Sequence, residues 1–322
     1  MTDKIPISLI IDDGAPLIHP LYYVPWTAKD ADGRPVTSDG RPFVRSIPVS
    51  FLEKFCGVTE KHAARGNFSV VPMPMAKGDI LNGIEGYETG EVKKWLDIVK
   101  KRLAPSFDFC PEMLTHSYAV DLETGGLTGL DEETWASTKS RAELTPYIAR
   151  ALEILKEAGI DATGVTSPWS FGIHVEEEYA AAAAEAQELV HGRELSWYFL
   201  HTREDEPGVK PWFAIKEENR ALVHIPATIG DKLWQTINCS RNDAEYINQI
   251  ADSYITEDGL GGAIPKRLAD GCWLILLTHW QSLFSNGLET GLTVLDTALS
   301  RVNGLLGDKL EWMSSLEMAR AI

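Results

Sequence analysis

The apolar positions of this chain fall into short continuous runs separated by longer stretches of helical spacing. Ile7, Leu9, Ile10 and Ile11 form the first run, which stops abruptly on Asp12, Asp13 and Gly14. A run this short is the signature of a strand buried on both faces, as in a parallel sheet. Similar runs predict strands at 68–71, 106–109, 162–166, 195–201, 221–225 and 272–278, with a short last one near 310–316. Between them the spacing turns helical. Val92, Trp95, Leu96, Val99 and Leu103 predict a helix over 90–103, and Leu144, Ile148, Leu152 and Leu155 one over 142–158 with Gly159 as its stop. Leu288, Leu292, Leu295, Leu299 and Val302 mark another over 288–302. Further helices are expected at 48–64, opening near Pro48, at 176–190, with Glu176, Glu177 and Glu178 in its first turn, and at 243–255.

Strand and helix alternate along nearly the whole length, at roughly seven strands, which argues for parallel βα units. No compositional break resembles a linker, and no internal repeat is found. The expected architecture is one (β/α) barrel over 1–322, closed or incomplete. Two stretches stand apart as loops, 15–45 and 122–133. The first is long for a compact domain and rich in Pro, Gly and aromatics, among them His19, Tyr22, Tyr23 and Trp26. It reads either as a cover over a site or as a surface loop packed on its own rings.

Composition narrows the function classes. At 322 residues, with 44% hydrophobic and 24% charged content, the chain can bury a substantial core. A net charge of −17 argues against nucleic-acid binding. No apolar stretch is long enough to span a membrane. The N-terminus runs straight into the first strand, so a cytoplasmic protein is expected. Cys56, Cys110, Cys239 and Cys272 lie far apart without a C-x-x-C pair and read as free thiols. The oligomeric state is left open, a homo-oligomer included.

The polar residues that could carry chemistry gather after the strands. Asp12 and Asp13 follow the first, Glu112 and His116 the third, Ser167, Trp169 and His174 the fourth, His201 the fifth and His279 the last barrel strand. In a parallel barrel these ends converge on one face. Two adjacent carboxylates behind a buried strand need a balancing charge, and a metal cation supplies it. The plainer alternative has Asp12 capping a turn and Asp13 facing water. His116 equally suits a core histidine bonded to a carbonyl, and His174 a structural cap before an acidic helix. Trp169 and Phe171 suit the core, although a Pro-Trp-Ser-Phe turn at a strand end also suits stacking on a sugar ring. His62, His191 and His224 suggest no role, and Glu176 to Glu178 read as a solvated helix start.

Three segments resemble the polysaccharide deacetylases, the NodB-homology enzymes. Ile10-Ile11-Asp12-Asp13-Gly14 resembles their T-F-D-D-G motif, Glu112-Met-Leu-Thr-His116-Ser117 their E-x-x-x-H-[ST] segment, and Ile275-Leu276-Leu277-Thr278-His279 their I-x-L-x-H. They occur in family order and bracket nearly the whole chain. The resemblance implies a distorted (β/α)7 barrel and a divalent metal, zinc or similar, used to remove acyl groups from N-acetylated sugars or to cleave related amide C–N bonds. Asp12 is then the implied general base, Asp13 and His116 metal ligands, and His279 the general acid, with Leu277 lining an acyl pocket. Metal-assisted hydrolysis needs those parts. Trp169 and His174 are the expected substrate contacts, and the substrate a small molecule or oligosaccharide.

Two positions depart from the family pattern. Its second metal histidine falls on Val120, beside Asp121, and its Arg-x-Pro falls on Thr166-Ser167-Pro168. The third ligand is then Asp121 or His174, or the metal is lost. Two alternatives stand beside the deacetylase reading: a glycoside hydrolase using carboxylates such as Asp12 or Asp13 with Asp121, or a non-catalytic sugar-binding barrel that has lost its metal.

Overall fold

A computed structural model describes residues 4–322. Seven parallel strands form its frame: β1 (Ile5–Asp12), β2 (Gly66–Val70), β3 (Phe107–Pro111), β4 (Gly164–Val165), β5 (Leu195–Tyr198), β6 (Ala221–His224) and β7 (Leu274–His279). They lie in two sheets, β7-β1-β2-β3 and β6-β5-β4. Single parallel bridges join these sheets at both seams. Phe109 pairs with Ala162 and Glu112 with Thr166 between β3 and β4. Ile229, just beyond β6, pairs with Leu276, and the Leu277 amide donates to the Ile229 carbonyl at 2.8 Å. The seven strands thus follow one another around a distorted (β/α)7 barrel, thinnest at these two seams. Trp212–Lys216 adds antiparallel to β6, and Leu310–Trp312 runs parallel along the start of β1.

β1 is the central strand. It pairs with β7 from Ile7–Leu274 to Asp12–His279 and with β2 from Leu9–Gly66 to Ile11–Phe68. Its run from Ile7 to Asp12 is buried, as a two-sided parallel strand demands. Outside it pack α1 (Val49–Lys61), α2 (Thr89–Ile98), α3 (Arg141–Glu157), α4 (Glu176–His191), α5 (Ala244–Tyr254) and α6 (Thr290–Leu306). Ser140 and Glu143 cap α3 reciprocally, and Gly192 ends α4 in the left-handed region. The buried alanines of α4 let α3 lie close against it. Directly after β7, Trp280 packs edge-on against Phe55 and Phe68 and tilted against Phe51, fixing α1 to the strands that carry the site.

The pattern places these elements to within a few residues, with instructive exceptions. The helix expected over 90–103 is α-helical only to Ile98 and continues to Leu103 as a π-helix. The loop expected over 122–133 contains a strand, Leu127–Asp131, antiparallel to Tyr118–Val120, and a short helix capped by Asp131. That strand is solvent-facing almost throughout, so no hydrophobic alternation announces it. The expected last strand stops at Trp312, because Ser314 and Glu317 form a capping box that starts a helix.

The 15–45 stretch holds one short helix, Pro20–Tyr23, and three isolated bridges. His19 anchors it. The ring is fully buried between Phe43 and Phe284, with centroids at 5.2 and 6.0 Å, and neither ring nitrogen has a hydrogen-bond partner among the described residues. Burial lowers its pKa from 6.5 to about 3. Between these values the unfolded chain binds a proton that the folded chain excludes, so stability rises with pH across this window and is lost on acidification. This one ring should contribute a slope of up to about 1.4 kcal/mol per pH unit. We expect His19→Phe to flatten the pH dependence of unfolding free energy below pH 6.5 in urea titrations. A variant with the same slope as the wild type would contradict this.

Candidate active site

The ends of β1, β3, β7 and the β3–β4 seam meet around a cavity of about 280 Å³. Its polar wall comprises Asp12, Asp13, Glu112, His116, Ser167, His279 and Gln281. Leu21, Val24, Trp26, Trp169, Phe199, Leu200, Trp234 and Leu277 supply apolar surface. A larger groove between α3 and α4 carries its charged groups, Glu153, Lys156, Glu157 and Glu185, at the surface and no histidine.

The chain bends sharply to bring these groups together. Asp13 has φ 61°, Met113 44°, His116 54° and Trp169 51°, a region sparsely used by residues other than glycine. Such backbone clusters at sites where neighbouring structure imposes it. Gly14 follows from the same crowding: a Cβ there would lie 2.0 Å from the Ser69 carbonyl oxygen at the end of β2. The Asp-Asp-Gly order therefore reflects a turn pressed against its neighbour.

Asp13, Glu112 and His116 form a compact buried cluster whose oxygens and nitrogen lie within 4.8 Å of one another. His116 Nε2 is 2.6 Å from Asp13 Oδ1 and 3.6 Å from Glu112 Oε1. The other carboxylate oxygens are already engaged. Glu112 Oε2 accepts from the Asp13 amide at 2.5 Å and from Ser69 Oγ at 2.6 Å, and Asp13 Oδ2 accepts from Gln281 Nε2. What converges is two carboxylate oxygens and one imidazole nitrogen, a donor set that suits zinc and similar divalent ions. Buried Asp12 adds a further carboxylate, and its Oδ1 has no partner among the described residues.

Electrostatics mark the same groups. Burial and then the charge of Asp13 raise the Asp12 pKa to about 7, opposed by His279, His116 and a hydrogen bond from Thr166. Burial also raises Glu112 well above its ordinary value, reinforced by both aspartates. Asp13 moves the other way: burial works against it, but the adjacent His116 outweighs that and holds it ionised. His116 is raised in turn, with burial opposing and Asp13 dominating.

His279 stands across the sheet from Asp12 as its register partner. Its Nδ1 is 2.8 Å from Asp231 Oδ2, which also accepts from Ser282 Oγ at 2.6 Å, while Asp231 Oδ1 accepts from the Leu233 amide at 2.7 Å. Asp231 thus fixes the ring and leaves Nε2 free. Burial disfavours the imidazolium, but the bond to Asp231 and the charges of Asp13, Asp231 and Asp12 outweigh it and raise the pKa to about 9.

Among the residues singled out in the sequence, Asp12, Asp13, His116, Trp169, Leu277 and His279 all line this cavity. Trp169 leans on the His116 ring at 4.7 Å and on Trp26 at 5.3 Å, so the 15–45 stretch reaches the mouth. His174 does not line it; it is exposed in the turn before α4. Asp121 is also on the surface, where its carboxylate accepts from the amides of Glu123 and Thr124 and closes a hairpin turn. Neither lies with Asp13 and His116, and a glycosidase pair of Asp121 with Asp12 or Asp13 is absent from the cavity. Val120 is buried away from it, its amide 3.4 Å from Tyr147 Oη. Glu112 takes the third place in the cluster.

Two partners carried no sequence signal, Asp231 and Glu132. Glu132 is fully buried and gathers the Glu112–Ser117 loop: Oε1 accepts from the Leu114 and Thr115 amides and Tyr147 Oη, and Oε2 from the His116 amide at 2.8 Å. These bonds compensate the buried carboxyl and hold His116 in its strained conformation. Glu132→Gln puts an NH2 where an acceptor is required and leaves a buried amide unpaired. We expect a loss of about 1–3 kcal/mol, read as a lower urea midpoint with unchanged slope. An unchanged midpoint would show that Glu132 does not organise the loop.

No family model and no curated protein matches this sequence. Solved structures do. A Parabacteroides distasonis protein described as a glycoside hydrolase/deacetylase is 9% identical, with a TM-score of 0.51 over 99% of this chain and 72% of its own. A Mycobacterium smegmatis protein described as a polysaccharide deacetylase is 17% identical, with a TM-score of 0.49 over 84% of this chain and 76% of its own. A CE4 family pseudoenzyme from Bacillus anthracis is 13% identical, with a TM-score of 0.35 over 78% and 57%. The Parabacteroides distasonis protein shares the fold of this chain, a barrel of the shape that the three motifs imply.

Proposed function

We propose that this chain is a metal-dependent hydrolase that removes an acyl group from, or cleaves another amide C–N bond in, a carbohydrate or similar small molecule. The observation that carries the reading is the placing of Asp12, its Oδ1 free of partners, beside the Asp13–Glu112–His116 cluster and across from an Asp231-held His279 in one cavity. An arrangement of this kind separates a base from an acid around a site for a cation.

Asp13, Glu112 and His116 would hold the ion, zinc or a similar transition metal. Bound there, it would polarise the substrate carbonyl and acidify a water. Asp12 is the proton acceptor: it lies buried beside the cluster with Oδ1 free of partners, and a cation held by Asp13 would favour its ionised form. Asp231 raises the His279 pKa and favours its protonated form, which presents Nε2, the nitrogen not bound to Asp231, to donate a proton to the leaving amine. Asp231 holds the tautomer and stabilises the imidazolium. Leu277, Phe199 and Leu200 offer apolar surface for an acyl methyl group, and the partly exposed rings of Trp169 and Trp26 offer faces on which a sugar would stack. Leu21, Val24 and Trp26 form a cover supplied by the 15–45 stretch. A cavity of about 280 Å³ suits a single ring better than a long polymer chain.

Asp12→Asn and His279→Ala should each lower acetate release from N-acetylated sugars by about 10²–10⁴-fold in protein that circular dichroism shows to be folded. Asp12→Asn relieves repulsion from Asp13, so destabilisation is not expected. Near-full activity in both variants would defeat the assignment. Asp231→Asn makes a separate prediction. Because His279 must be protonated, activity falls above its pKa. Removing the carboxylate that raises that pKa should move the basic limb of the pH–rate profile to lower pH. An unmoved limb would mean that His279 is not the acid.

A further inference from the structure

A second cluster stands on the same end of the barrel but outside the cavity. Glu176 opens α4, His201 follows β5 and His224 ends β6, and one potential ligand atom from each lies within 4.8 Å of the others. His201 Nε2 is 2.9 Å from Glu176 Oε2, and Tyr198 Oη donates to Glu176 Oε1 at 2.9 Å. His224 is different. It is fully buried, and neither ring nitrogen has a hydrogen-bond partner among the described residues. Its ring is clamped by Trp212 at 4.2 Å, Tyr198 at 4.6 Å and His201 at 5.2 Å, so it cannot turn away to find a partner. An unpaired buried nitrogen of this kind is costly to the fold. Arg203, whose charge acts on His224, lies over Trp212 and is bound to Glu206.

We propose that Glu176, His201 and His224 form a second metal site that takes one zinc-class divalent ion through a carboxylate oxygen and two imidazole nitrogens. This donor set is one that zinc uses. None of the three residues lines the cavity, so the site is separate from the Asp13 cluster. The partly exposed edges of His201 and Glu176 give the ion a way in from solvent. A bound ion pairs one orphaned nitrogen of His224 and ties the first turn of α4 to the ends of β5 and β6. Beyond β5 lie Phe199, Leu200 and Thr202 of the cavity wall, so the same ion stiffens that wall.

The test is zinc titration of the chelator-stripped full chain by calorimetry and thermal unfolding. In an Asp13→Asn, His116→Gln background one equivalent of zinc should still bind and raise the melting temperature, as any ligand of the folded state must. Adding His201→Gln or Glu176→Gln, both at partly exposed positions, should weaken that binding at least about tenfold. No zinc bound by the folded background variant, or binding indifferent to both further substitutions, overturns the proposal. Should the background variant not fold, the same question is read in the otherwise wild-type chain: His201→Gln must remove one equivalent, and an unchanged stoichiometry overturns the site. Loss of an equivalent with Asp13→Asn alone reports on the first cluster and leaves this one standing.

Discussion

Three carboxylates, Asp12, Asp13 and Glu112, are buried around one cavity at the ends of β1 and β3, on either side of β2 in a parallel barrel. Burying charge without compensation is among the costliest things a fold can do. Much of the upper barrel can be understood as the response. His116 meets Asp13, Ser69 and the Asp13 amide meet Glu112, Gln281 meets Asp13, and His279 faces Asp12 from the next strand. The left-handed turns at Asp13, Met113, His116 and Trp169 bring these groups within reach of one another. Asp12 and Glu112, both raised by burial, are the carboxylates that a bound cation would hold ionised.

The supporting groups are as specific as the cluster itself. Glu132 gathers three amides and a tyrosine hydroxyl to shape the loop that carries His116, and Asp231 orients His279 from outside the strand pair. Supporting partners of this type fix the protonation state and direction of the residues they touch. The electrostatic outcome is a contrast in cause: burial raises Asp12, while the bond to Asp231 and the charges of Asp13 and Asp12 raise His279 against its burial.

Much of this was legible in the sequence. The uninterrupted run from Ile7 to Ile11 identifies a two-sided strand, and Asp12, Asp13, Glu112, His116 and His279 stand out because each follows an apolar run. What stayed hidden has physical reasons. Glu132 and Asp231 lie in irregular segments, and their importance comes from amides and side chains that only folding brings near. Asp121 and His174 looked suitable for the third ligand by chain proximity, yet hairpin and turn geometry put them in solvent, while Glu112 reaches the position by extending the β3 end. The 127–131 strand escaped because it faces solvent, where no hydrophobic period is imposed. His224, unremarkable in sequence, becomes notable only once its ring is seen buried and unpaired beside His201 and Glu176.

The central claim is that Asp13, Glu112 and His116 together hold a divalent ion. Anomalous diffraction at the zinc edge, from crystals grown with zinc, tests it most directly. The account predicts a peak about 2.0–2.2 Å from a carboxylate oxygen of Asp13 and from a ring nitrogen of His116, with Glu112 completing the protein ligands. A fully ordered cavity with no peak within coordination distance of Asp13 and His116 would contradict it.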